Sequence, residues 1–365
     1  MKVALVHDWL IHMRGGERVL EALAELYPDA VIYTLFSDRN RLSPSLQRMK
    51  IKNSFLQYLP GIRRYYRWLL PLLPWVVSTL KIESVDLVIS SSHCVAKGVP
   101  IPAGAKHVCY CHTPMRYLWG FEDEYFSRYP FIVRKLIRAA LHFLKKWDLE
   151  SNKRIDQFVS NSENVKGRIR DYYNRDAVVV YPPVGLEQFY PEGELSDYYF
   201  IVSAFVPYKR VDLVIEAFNE LDRRLIVVGK GPLEKKYQNQ RKSEKISFWG
   251  SVDDAGLRRL YSGARAVLFP TFEDFGIVPL EAQACGTPVV AYGKGGALES
   301  VKTGIFFSEQ TVDSLKKAVL EFEARTWDRS SIPLKIKSFG RACFKEAIQT
   351  VVRDLMRLAE LNEKA

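Results

Sequence analysis

Thr271-Phe-Glu273-Asp-Phe-Gly276-Ile-Val-Pro279-Leu-Glu281-Ala-Gln-Ala-Cys-Gly286-Thr-Pro288-Val-Val290-Ala291 reads as a strand end, a loop, a helix, a loop and a second strand. Val267 to Pro270 closes an apolar run, Gly276 breaks the chain, Pro279 suits the first turn of a helix, and Gly286 followed by Pro288 stops it. This pattern predicts Glu273 in the loop and Glu281 inside the helix. A helix N-terminus beyond the carboxyl end of a parallel strand offers free N–H groups and the positive end of the helix dipole. That is where an open α/β sheet usually receives a phosphate. Two acids flanking such an anion site need hydroxyl groups to bind, which a sugar on one side and a ribose on the other would supply.

The same alternation recurs along the chain. In the C-terminal half, apolar runs start at Tyr199, Arg224, Ile246, Ala266, Pro288 and Gly304, with helical or irregular stretches between them. The N-terminal half repeats the plan with runs at Lys2 to Asp8, Val31 to Leu35, Val85 to Ile89, Lys106 to Tyr110 and Gln157 to Val159. Strands alternating with helices imply parallel sheets. Tyr181 to Pro191 carries three prolines and Gly185, which fits an extended linker between two domains.

The length of 365 residues agrees with two domains. At 47% hydrophobic and 26% charged residues the chain is globular in composition and has no low-complexity tract. Met1 leads directly into an apolar strand with Asp8 close behind, so no secretory signal is expected. Five cysteines, an odd number without zinc spacing, suit a reducing cytoplasm. The charge is lopsided: residues 1–182 hold 27 Lys and Arg against 17 Asp and Glu, net +10, whereas the remainder has 26 against 25. A surface of that kind suits nucleic acid, anionic lipid or a diphosphate-bearing substrate.

The Glu, seven residues, Glu spacing, with Phe-Gly, Leu-Glu-Ala and Gly-Thr-Pro-Val-Val-Ala around it, resembles the retaining glycosyltransferases of family 4 (glycosyl transferases group 1). Those enzymes have the GT-B architecture, α/β with two Rossmann-like domains facing each other across a cleft and a C-terminal helix crossing back to the first domain. The resemblance implies an acceptor-binding domain over residues 1–182, joined by a helix at about 344–365. It implies a nucleotide-sugar-binding domain over 183–343.

By the same resemblance, Glu273 contacts the donor sugar and Glu281 holds the ribose. Phe275, Gly276, Ile277 and Val278 line the donor at the helix N-terminus. Lys209, in Val206-Pro-Tyr-Lys209-Arg210, neutralises the departing diphosphate. Ala204 stands where relatives have a partner Arg, so either Arg210 substitutes or one contact is missing. Relatives also usually carry an Asp near Gly185. His112, after the Lys106 to Tyr110 run, matches the family's active-site histidine. Gly16, in Gly15-Gly16-Glu17, opens a helix whose backbone N–H groups can approach an anion. Arg116, Tyr117 and Trp119 are candidates to shape the acceptor side, and the Gly293 to Gly296 turn either sits near the donor or serves only as a turn.

No metal is expected: no His, Asp and Glu cluster has convincing spacing, and Glu122-Asp-Glu124 lacks the setting of an Asp-x-Asp motif. His7-Asp8-Trp9 and Tyr110 to Trp119 look like bacterial mannosyltransferases of lipopolysaccharide O-antigen and capsule assembly. GDP-mannose is then the expected donor and a polyprenyl-diphosphate-linked saccharide the acceptor, on the cytoplasmic face of the membrane, with no cofactor and no nucleic acid. Phe131 to Trp147 and Tyr58 to Leu80 mix cations with apolar and aromatic residues. Neither is an uninterrupted transmembrane span, so both suit docking on anionic lipid or ordinary helices with basic faces. A nucleotide-sugar epimerase of the same fold and a basic lipid- or nucleic-acid-binding module are the alternatives.

Overall fold

The computed structural model describes residues 1–127 and 129–364, with the side chains of Asp123, Glu124 and residues 362–364 outside the description. The expected acidic run at Glu122-Asp-Glu124 and the end of the expected terminal segment at Ala365 therefore fall partly outside the described residues. The chain divides into two compact units, Met1–Pro183 with Ala342 onward, and Val184–Arg341.

In the first unit seven parallel strands form one sheet: Val3–His7 (β1), Val31–Thr34 (β2), Lys50–Asn53 (β3), Leu87–Ser92 (β4), Lys106–Cys111 (β5), Gln157–Ser160 (β6) and Ala177–Val179 (β7). Their order is β3-β2-β1-β4-β5-β6-β7. β1 and β4 are buried along their whole length, as strands covered by helices on both faces must be. β3 and β7 were not expected from the hydrophobic pattern. Both are edge strands, one reading Lys-Ile-Lys-Asn and the other only three residues long, so neither needs a continuous apolar run.

The second unit holds six parallel strands in the order β10-β9-β8-β11-β12-β13. They are Tyr199–Val202 (β8), Leu225–Val228 (β9), Ile246–Gly250 (β10), Val267–Phe269 (β11), Val289–Tyr292 (β12) and Gly304–Phe307 (β13). Two Rossmann-like parallel sheets of this kind are the GT-B fold class. Each strand order reverses once, between β1 and β4 in the first unit and between β8 and β11 in the second. At such a point successive crossover helices leave to opposite faces, and a crevice opens at the carboxyl ends of the two strands.

The final helix, Arg341–Lys364, starts three residues before the apolar periodicity suggests and packs on the first unit. Phe344, Ile348 and Val352 are buried there, the Phe344 ring meets Tyr110 at 5.7 Å, and Lys345 pairs with Glu25 at 2.5 Å.

A buried polar knot fastens the 21-residue helix Phe131–Ser151 to the same unit. Lys97 Nζ lies 2.9 Å from Asp148 Oδ1 and donates to the Asp148 carbonyl, Ser151 Oγ and Asn152 Oδ1. Asp148 Oδ2 accepts from Trp119 Nε1 and Tyr173 Oη, each at 2.8 Å. Removing one member of such a pair strands the other charge in low dielectric. Asp148→Ala is therefore expected to lower unfolding free energy by about 3–5 kcal/mol, read by urea denaturation.

Candidate active site

In the second unit the two strands that flank the reversal carry the two predicted groups. β8 runs into the turn Pro207–Lys209, and β11 into the loop 270–276. Lys209 Nζ forms an ion pair with Glu273 Oε1, each side chain about one-fifth to one-quarter exposed. Thr271 Oγ1 donates to the Tyr208 carbonyl at 3.1 Å and Gln310 Nε2 to the Pro270 carbonyl at 2.7 Å, so both ends of the pair are tied down.

The helix Ile277–Ala284 starts immediately after this loop, with Gly276 as its N-cap and no side-chain cap hydrogen bond. Gly276 has φ +98°, a conformation that glycine tolerates best. Glu281 sits one turn in, and Tyr261 Oη donates to its Oε2 at 2.9 Å. Tyr261 is fully buried, and that burial, followed by the Glu281 charge, pushes its hydroxyl well above the ordinary range, so it stays a donor.

The Gly293 to Gly296 turn supports this loop from below. Gly296 N donates to the Glu273 carbonyl at 2.8 Å, and a Cβ on Gly296 would come within 2.2–2.5 Å of Phe275 backbone atoms. Turn geometry was one of two readings of these glycines, and close support of the Glu273 loop is what the structure displays. Phe275 is buried with its ring 6.0 Å from Phe339, so its side chain belongs to the core of the unit. Ile277 and Val278 are half-buried at the start of the helix. Arg210, at φ +51°, reaches Asp212 and the Gln310 carbonyl, each at 3.5 Å. Of the two expected cations, Lys209 is the one paired with Glu273.

The first unit gathers a second constellation at its own reversal. His7 and Ser91 are register partners at the ends of β1 and β4, and His112 follows β5. Ser91 Oγ bridges the two rings, 3.1 Å from His7 Nδ1 and 2.8 Å from His112 Nε2. A Cβ on Gly16 would meet His7 and His112 at 3.4 and 3.5 Å, so this glycine lies against both imidazoles, as a helix N-terminus aimed at the site would. His93 completes the group, with its ring centroid 6.4 Å from that of His112.

Asp8 organises these rings. It is wholly buried, and it accepts from the backbone N–H groups of His93 and Cys94 on Oδ2 and of Val95 and Ala96 on Oδ1. His93 Nδ1 adds a fifth contact at 3.0 Å. Although burial opposes ionisation, the His93 charge and these donors hold the Asp8 carboxyl well below the ordinary range. Burial also works against the His93 imidazolium, but the Asp8 charge and hydrogen bond outweigh it and raise this ring. Burial, then the charges of His93 and His7, takes His112 well below an ordinary imidazole, and burial lowers His7. His112 is therefore neutral near pH 7.

Of the three acceptor candidates, Trp119 requires correction. Its ring stacks on Tyr172 at 5.0 Å, lies under Lys145 Nζ at 4.2 Å and donates to Asp148, leaving 7% exposed and no face for a sugar. Tyr117 is half-buried, its hydroxyl 3.0 Å from Cys94 Sγ and 3.1 Å from Met115 Sδ. Arg116 is half-buried with its guanidinium 4.1 Å from the Phe121 ring centroid. Sequence reasoning left out His7, His93, Ser91 and Asp8 as site residues. For Ser91 and His93 the signal was present in the polar run Ser90-Ser91-Ser92-His93, at the end of a strand otherwise made for burial.

Known proteins share both halves. A model described as Glycosyltransferase Family 4 matches residues 13–188, and one described as Glycosyl transferases group 1 matches residues 186–332. The chain belongs to the family 4 glycosyltransferases of GT-B fold. An uncharacterised glycosyltransferase of Methanocaldococcus jannaschii is 31% identical over 173 residues, covering 46% of this chain and 49% of that protein. An alpha-1,3/1,6-mannosyltransferase of Eremothecium gossypii is 24% identical over 83% of this chain and 70% of its own. The chain spans about half the length of the first curated relatives it matches. Among solved structures, an Anabaena protein in complex with UDP and glucose superposes with a TM-score of 0.71 at 19% identity, over 97% of this chain and 100% of its own.

Two outcomes follow for this family 4 chain. Gly296→Ala should displace the Glu273 loop and destabilise the protein by about 1–3 kcal/mol, read by calorimetry. Histidine titration by NMR should place His7 and His112 below, and His93 above, an ordinary imidazole. Because the folded His93 value is raised, its stabilisation is full below the unfolded value and lost as pH rises through the folded one. The destabilisation caused by His93→Gln should accordingly shrink between acidic and alkaline pH, measured by urea unfolding.

Proposed function

We propose that this chain moves a sugar from a nucleotide diphosphate donor to a lipid-linked saccharide, retaining the anomeric configuration. The observation that carries the reading is the Lys209–Glu273 pair at a sheet's strand-order reversal, beside an uncapped helix N-terminus with Glu281 one turn in. A carboxylate there suits the hydroxyls of the sugar. The ammonium and the helix N–H groups suit the diphosphate, whose developing charge sets the barrier to departure. Tyr261 orients Glu281 through its Oε2, at the position this reading gives to the ribose. In this reading the second unit takes the nucleotide sugar and the first the acceptor, and neutral His112 is a hydrogen-bond partner for a substrate hydroxyl.

GDP-mannose is the proposed donor, supported by likeness to the Eremothecium mannosyltransferase. The Anabaena complex with UDP and glucose supports the wider class of nucleotide diphosphate and hexose. With Lys209 and the helix N-terminus on the diphosphate, no divalent ion is required. The proposed setting is the inner face of a bacterial membrane in surface polysaccharide assembly, such as O-antigen. No helix among the described residues is long and apolar enough to cross a membrane. On Phe131–Ser151, Ile132, Leu136 and Phe143 share one exposed stripe flanked by Lys135 and Lys146, a pattern suited to lying on anionic lipid.

The test is mass spectrometry of purified protein with GDP-mannose, other nucleotide sugars and a polyprenyl-diphosphate-linked sugar, with and without chelator. The expected product carries one added hexose in chelator. Lys209→Ala should cost about 10²–10³ in kcat, and Glu273→Ala should abolish transfer while circular dichroism stays unchanged. Donor isomerised without acceptor would turn the assignment to an epimerase, and full activity of Glu273→Ala would remove that residue from the mechanism.

A further inference from the structure

We infer that the groove between the loops following β1, β2 and β3 binds the phosphate end of a polyprenyl lipid. The inference rests on the proposed use of a lipid-linked acceptor and names the part of the protein that holds the lipid. His7, Thr34 and Asn53 end these strands in register, so their loops emerge along one carboxyl edge of the first sheet. Between them lies a cavity of about 590 Å³ whose polar wall includes His12, Ser37, Arg41, Gln57, Arg63 and Arg64.

Charge and chemistry favour an anion. Among the described residues no Asp or Glu lines the cavity. Asp38, just outside it, pairs with both Arg63 and Arg41, the latter at 3.4 Å, and so fixes two guanidinium groups with one carboxylate. Arg64 adds a third cation, which leaves a positive excess. Burial, then the charges of Arg14 and Arg41, lowers His12, so its ring is a neutral hydrogen-bonding group within this field. Gln57 Oε1 accepts from Ser37 N at 2.8 Å and holds the second and third loops together. Guanidinium forks in a fixed arrangement match phosphate oxygens.

The rim favours a lipid as the carrier. Tyr58 in the wall is 85% exposed, and the helical turns just downstream expose Trp68 at 75%, Leu72 at 56% and Trp75 at 62%. A soluble phosphorylated sugar has no use for these residues, whereas an isoprenoid chain leaving a phosphate held at Arg63 and Arg64 would cover them. Aromatic side chains beside cations also suit the membrane interface from which such a lipid is drawn.

The experiment is flotation of the full chain with phosphatidylcholine vesicles carrying a polyprenyl phosphate, compared with phosphatidylglycerol vesicles of matched surface charge and with inorganic diphosphate as competitor. The expected result is preferential binding to the polyprenyl phosphate, competed by diphosphate and weakened at least about tenfold by Arg63→Ala with Arg64→Ala. Trp75→Ala should weaken vesicle binding without altering the affinity for diphosphate. Equal flotation on both anionic vesicles, or unchanged binding by the double variant, would overturn the site. Binding of diphosphate without any binding of vesicles would overturn the lipid as its source. Because Arg63 and Arg64 are exposed, their replacement is not expected to unfold the chain. Glu273→Ala should float like the parent, so failure of the transfer reaction and failure of this groove are read separately.

Discussion

Each sheet reverses its strand order once, and the candidate site residues gather at those reversals. In a parallel sheet, adjacent crossovers on one face fill the space above the strand ends. Where the order turns, the crossovers part and the strand ends are left open. β8 and β11 meet at one reversal and deliver Lys209 and Glu273 from turns on either side of it. β1 and β4 meet at the other and deliver His7, Asp8, Ser91 and His93. The two units thus use one topological device, each for a different set of side chains.

Holding those side chains requires different physics in the two units. In the second, the loop carrying Glu273 is clamped by backbone, with Gly296 pressed so closely against Phe275 that no Cβ fits. In the first, a carboxylate does the holding. Asp8 gathers four consecutive N–H groups from the turn after β4, which fixes that turn to the end of β1 and places the His93 ring. The same charge favours His93 as a cation, whereas desolvation outweighs it at His7 and His112 and lowers both rings.

Ordinary features of the chain acquire meaning from this arrangement. The basic excess of residues 1–182 is spread over helix faces and loop ends rather than gathered on one strand edge. The Arg41, Arg63 and Arg64 groove and the Lys135 and Lys146 flank of Phe131–Ser151 both set cations beside exposed aromatic or aliphatic residues. Lys97 is the contrary case, a cation buried at 2% exposure whose work is to anchor a helix through Asp148.

Much of this was legible before the fold was seen. The alternation of apolar runs and amphipathic stretches implied two parallel sheets because buried parallel strands must be apolar throughout. Gly276, Pro279, Gly286 and Pro288 placed Glu273 in a loop and Glu281 in a helix because backbone conformation is a local property. Edge strands β3 and β7 escaped notice because strands with one open side need no continuous apolar pattern. What only the tertiary structure decided are the meetings between distant residues. Trp119 looked fit for a sugar in sequence, and Asp148, Tyr172 and Lys145 claimed it for the core. Asp8 and His93 are 85 residues apart and meet because β1 lies beside β4. Strand order depends on how helices pack over the whole sheet, and no local run of residues contains that information.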